Sequence, residues 1–148
     1  MAIREGFPKE AVPGAFVGLA AGLIAGGLAA LVGQPLGWAL VTTVALGLPL
    51  GAFGGGFSLL VAAGRLPAGR FAPVALYWLV AFPVARLVHE TTVSLVLAGQ
   101  VRLPPDLAGF LAYQGIVSLG WAIGFLWLHE RIAMRLRLRH LLGATASR

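Results

Sequence analysis

Polar residues are gathered into a few short stretches of this chain, and what lies between them is almost uniformly apolar. Four apolar runs result, at about 11–33, 37–63, 71–99 and 107–128. Each has the ~20 residues that an α-helix needs to cross a ~30 Å hydrocarbon core. The separators "GQPLG", "GRLPAGR" and "QVRLPPD" carry the Gly and Pro that end or begin helices. Pro13, Pro35, Pro73 and Pro105 fall where helices are predicted to start, positions at which the missing N–H costs little. Asp106 is suited to cap the fourth helix. The pattern predicts an all-α integral membrane protein: one transmembrane domain over residues 1–148, a four-helix bundle made of two antiparallel helical hairpins, with a basic interfacial tail over 129–148.

Small residues recur inside the first two runs. Gly14, Gly18, Gly22 and Gly26 stand four apart, as do Gly47, Gly51 and Gly55, with Thr43 one step before them. Lipid provides little hydrophobic drive to bring helices together, so a column of small residues is useful because it lets two backbones approach. If the first connection turns between Gln34 and Pro35, residues at equal depth have numbers summing to about 69, because both helices rise equally per residue. Gly14 is then expected opposite Gly55, Gly18 opposite Gly51, Gly22 opposite Gly47 and Gly26 opposite Thr43. Ala21, Ala25, Ala29 and Gly33 form a second small column that suits another helix.

Composition agrees with the pattern. Of 148 residues, 59% are hydrophobic and 11% charged, whereas soluble domains carry roughly a quarter charged residues. The net charge of +6 reads as a topology signal and not as a nucleic-acid surface. Arg4 and Lys9 precede the first run, Arg65 and Arg70 lie in the second connection, and Arg131, Arg135, Arg137, Arg139 and Arg148 follow the fourth. Arg102 is the one basic residue of the other two connections. By the positive-inside rule both termini are cytoplasmic, and a bacterial plasma membrane is the expected location. The basic start and small residues of the first run also fit a signal peptide, but its length and its glycines favour a retained helix.

Ionisable groups enter an apolar run in "PVARLVHETTVSL", residues 83–95. Arg86, Glu90 and Ser94 share one helical column, and His89 lies three residues from Arg86. Charge within a membrane costs about 2.5–3.5 kcal/mol per residue, so such groups mark function or a structural ion pair. Treated as a second antiparallel pair, the third and fourth runs bring Ser118 level with His89, and Gln114 level with Ser94. The six residues are therefore expected to form one polar patch. It would serve as interhelical glue, as a proton- or ion-handling site, or as a site for a lipid headgroup or quinone.

Several chemistries are excluded or demoted. The chain has no cysteine, so disulfides and thiolate sites are ruled out. "HETTV" and "HERIA" both lack the second His of a zinc-protease motif, and no metal site, cofactor or catalytic residue is predicted. Ser58 lacks a G-x-S-x-G frame and is expected to have no base nearby, which argues against a serine hydrolase. His129 and Glu130 are expected in a solvated or interfacial setting. Arg131, Arg135 and Arg139 share a column that suits anionic lipid headgroups, with Ile132, Leu136, Leu138 and Leu142 as anchors. Trp38 and Trp127 fit an aromatic belt, and Trp78 and Trp121 a deeper packing role. The leading functional expectation is a non-catalytic subunit or assembly module of a membrane complex. Its partners would be the bilayer and other membrane chains, or further copies of itself. A small oligomeric transporter or channel using Arg86, His89 and Glu90 is the alternative, and a lipid-binding or lipid-modifying protein the third.

Overall fold

The structure is a computed structural model that describes residues 8–146, with side chains described through Arg139. A short 3-10 turn, Lys9–Ala11, leads into α1, Val12–Leu31. There follow α2, Leu36–Ala62, α3, Phe71–Ala98, and α4, Leu107–Ala146. All four helices are long and apolar enough to cross a membrane. Arg4 and Arg148 lie outside the described residues, as do the side chains beyond Arg139, Leu142 among them.

Local chemistry explains the helix ends. Pro13 occupies the first turn of α1 and Pro35 precedes the first residue of α2, where proline forfeits no helical hydrogen bond. Gly99 takes φ +67 after the last residue of α3 and returns its N–H to the Leu95 carbonyl, a left-handed cap that glycine adopts without Cβ strain. Asp106 accepts the Gly109 N–H at 2.9 Å, filling one of the unpaired donors of the first turn of α4. The fourth helix continues beyond the apolar run and carries the basic segment onward through Ala146.

The most extensive contact joins α1 to α2, and it is made by backbone. A Cβ at Gly14 would fall on the Gly54 carbonyl, one at Gly18 on the main chain of Leu50 and Gly51, one at Gly22 on the Gly47 Cα, and one at Gly26 on the Thr43 hydroxyl. The partners run in opposite order along the two helices. Gly22 and Gly26 meet the partners expected of them, but Gly14 meets Gly54 and not Gly55. Four residues of α-helix turn through about 400°, so a four-residue column drifts by about 40° per step across a fixed contact line. Over three steps the drift moves the contact to the neighbouring residue. A Cβ at Gly55 would instead meet the Ala15 and Ala11 methyls at 3.5 and 3.6 Å.

An aromatic core joins the other helices. Trp78 of α3 packs edge-on to Phe125 and Trp121 of α4, at centroid distances of 4.8 and 5.3 Å, and Phe57 of α2 packs on Phe125 at 5.3 Å. Trp78, Phe57 and Phe125 are fully buried. Tyr77 ties α3 to α2 by donating its hydroxyl to the Phe53 carbonyl at 2.6 Å. Trp38 and Trp127 are exposed.

Candidate functional site

Two polar sites lie in the helices. The first is on α3, one turn after Pro83, where a four-residue spacing aligns Arg86 with Glu90. Arg86 donates from NH2 to Glu90 Oε1 at 2.7 Å and from NH1 to His89 Nδ1 at 2.8 Å. Guanidinium can only donate, so His89 Nδ1 is an acceptor and Nε2 carries the ring proton. This also rules out an ion pair between His89 Nδ1 and Glu90, although the two are 3.6 Å apart. His89 is 8% exposed, and its Nε2 is buried without a hydrogen-bond partner.

The other members expected of this patch are placed differently. Ser94 donates to the Gln100 carbonyl at 2.7 Å, closing the chain after α3 and not extending the Arg86 network. Ser118 donates to the Gly115 carbonyl within α4 at 2.6 Å. Gln114 and Ser118 are buried, but among the described residues no hydrogen bond joins either to α3. The serine hydroxyls take the nearest main-chain carbonyls, as short hydroxyl side chains in helices commonly do. Glu90 and Ser94 do border a common cavity of about 440 Å³, together with Arg102 and Phe110.

The second site joins three helices and departs from the sequence reading. Ser58, one turn before the end of α2, lies 2.9 Å from His129 Nε2 of α4 and accepts the Gly14 N–H of α1 at 2.9 Å. Both residues are 4% exposed, so His129 is not solvated and, contrary to the sequence reading, Ser58 does have a base beside it. The imidazole lies between Phe57 and Phe125, at centroid distances of 5.4 and 5.5 Å. Its Nδ1 is 3.5 Å from Glu130 Oε1 but makes no hydrogen bond. The nearby carboxylate favours a proton on Nδ1, which leaves Nε2 to accept the Ser58 hydroxyl. A signal for this pairing was present: chaining the depth relations of consecutive helices puts Ser58 level with about residue 132, within a turn of His129.

A cavity of about 890 Å³ opens beside this pair, between the start of α1, the end of α2 and α4, with Lys9 and Arg137 on its border. A hydroxyl in hydrogen-bond contact with an imidazole has the geometry of a nucleophile and its base. Acyl transfer also needs donors aimed at a developing oxyanion, and the donors at the start of α1 are already used. Ala11 N–H bonds to the Pro8 carbonyl, Val12 N–H to Lys9, Pro13 has none, and Gly14 N–H is held by Ser58. What the contacts show is a link between α1, α2 and α4 at the border of a cavity. Arg131 stacks on the Trp127 ring at 4.3 Å, and Arg131, Arg135 and Arg139 are exposed. Among the described residues no group of three or more His, Asp and Glu is placed to hold a metal. Comparison with known proteins gives no match to a family model, to a curated protein or to a solved structure.

Proposed function

We propose that the chain is a non-catalytic subunit or assembly module of a membrane complex. In this reading it is inserted as two antiparallel hairpins with both termini cytoplasmic, in a bacterial plasma membrane. The carrying observation is the open face of α4. Tyr113, Ile116, Gly120, Ile123, Gly124 and Trp127 share one side of the helix and are exposed. Nothing lies within 4 Å of a Cβ built at Gly120 or Gly124.

Each glycine costs a helix about 1 kcal/mol relative to alanine. At Gly14, Gly18, Gly22 and Gly26 of α1 that cost is offset by close contact with α2, made possible by the same glycines. Gly120 and Gly124 have no such return within the chain, and a glycine groove walled by Ile116 and Ile123 fits a helix from another chain or another copy.

Because the chain has no cysteine, single-cysteine crosslinking in membranes tests the reading. Gly120→Cys is expected to crosslink to a second chain, Leu48→Cys, exposed on α2, is not, and Gly124→Ile should abolish the adduct without lowering stability. Equal crosslinking at both positions, or none at either, would overturn the proposal. The transporter or channel reading stands second, favoured by the buried, unpartnered His89 Nε2 beside Arg86 and Glu90. Loss of a pH-dependent flux in liposomes on Glu90→Gln would support it.

A further inference from the structure

The cavity beside Ser58 and His129 has a chemistry that the assembly reading does not use. Its volume of about 890 Å³ lies in the usual range for small-molecule sites, roughly 300–1,000 Å³. The border is graded. Val61, Ala133 and Leu136 supply apolar wall, while Lys9 and Arg137 are exposed at its edge with Glu10. Two cations against one carboxylate leave a single net positive charge at that edge. Ser58 and His129 line the same cavity from buried positions, with the Ser58 hydroxyl and His129 Nε2 already bonded to each other.

An occupant that suits this border carries one negative charge at the exposed end and apolar substance against the wall. We infer that the cavity is a binding site for the headgroup of an anionic glycerophospholipid. The phosphate lies between Lys9 and Arg137, and the apolar part of the lipid lies against Val61, Ala133 and Leu136. Charge-assisted hydrogen bonds from ammonium and guanidinium to phosphate are the strong members of their class. The location fits as well. The cavity lies at the same end of the bundle as the Arg65–Arg70 connection between α2 and α3 and the basic stretch of α4, the end that the charge pattern assigns to the cytoplasmic leaflet, where anionic lipids are enriched. The inference rests on membrane insertion and not on the assembly role.

Native mass spectrometry of the full chain in neutral detergent tests it, with phosphatidylglycerol, phosphatidylcholine and inorganic phosphate as probes. One phosphatidylglycerol per chain is expected, retained at least tenfold more tightly than phosphatidylcholine. Lys9→Gln and Arg137→Gln, both at exposed positions, should each weaken retention about tenfold, as the loss of one charged hydrogen bond does. Arg65→Gln, outside the cavity, should leave it unchanged. Ala133→Trp should displace the lipid by filling the wall, and the two charge variants keep the test decisive if that variant does not fold. Equal retention of both lipids, or undiminished retention by the Lys9→Gln/Arg137→Gln double variant, would overturn the inference. Competition by equimolar inorganic phosphate would assign a small-anion site and overturn the lipid. Disruption of chain assembly by Gly124→Ile leaves these outcomes untouched, so the two proposals fail separately.

Discussion

Alanine substitution along the α1–α2 contact should give effects of opposite sign at glycines that look alike in sequence. Non-bonded carbon atoms rest about 3.5–4.0 Å apart. At Gly22 the new methyl would find the Gly47 nitrogen and the Thr43 carbonyl oxygen at 2.6 Å, with the Gly47 Cα closer still. All three are main-chain atoms of α2, so a side-chain rotation relieves nothing and the helices must separate by about 1 Å. A gap of that size forfeits roughly a quarter to a half of each dispersion well along the contact. Overpacking of this kind costs about 1–3 kcal/mol, and the neighbouring approaches at Gly18 and Gly26 open with it. Against that stands the helix propensity that alanine recovers, at most about 1 kcal/mol.

We therefore expect Gly22→Ala to lose about 2 kcal/mol net. Gly27, with nothing within 4 Å of its Cβ position, should gain about 0.5–1 kcal/mol from propensity alone. Gly47 provides a sharper control. It faces Gly22, yet its own Cβ would meet the nearest atom, the Gly22 Cα, at 3.4 Å, so Gly47→Ala should be close to neutral. The assay is reversible unfolding in mixed micelles, followed by far-ultraviolet circular dichroism. Equal stability of Gly22→Ala and Gly27→Ala, or a loss at Gly47 as large as at Gly22, would refute the reasoning.

Other expectations follow from single contacts. Ser58→Ala leaves the Gly14 N–H and His129 Nε2 unpaired in a buried place and should cost about 1–3 kcal/mol in the same unfolding assay; an unchanged midpoint would contradict the three-helix link. Arg86→Leu leaves Glu90 without its cation, so the single variant should be less stable than Arg86→Leu/Glu90→Leu, and strictly additive effects in the double-mutant cycle would show that the pair is not coupled. Tyr77→Phe removes the hydroxyl donated to Phe53 and should cost about 1 kcal/mol, read as a lowered unfolding midpoint. Single cysteines at Ala68 and Val101 should react with an impermeant maleimide from opposite sides of the membrane, and labelling from one side alone would exclude the proposed topology.

Four helices were legible in the sequence because each depends on local information: apolar length, prolines that tolerate a missing N–H, a glycine or an aspartate at an end. The approximate level of Gly22 against Gly47 was legible too, since equal rise per residue makes depth a matter of counting. Counting does not fix rotation about the helix axis. That is why Gly14 meets Gly54 and not Gly55, and why Ser94 bonds to Gln100 and not to the Arg86 network. It is also why Arg137 borders the cavity while Arg131, on the column read from spacing, stacks on Trp127.

The Ser58–His129 link lay furthest from a sequence reading. The two residues are 71 positions apart on helices that are not consecutive, and no short motif marks either. Their meeting depends on how α2 and α4 pack around Phe57 and Phe125. The sequence by itself determined which segments are helical and roughly which residues of neighbouring helices lie level with one another, because those follow from one-dimensional pattern. The tertiary structure alone decided which side chains face one another across helices and where a cavity is left between them, because facing depends on crossing angle and rotation, which arise from packing the whole chain at once.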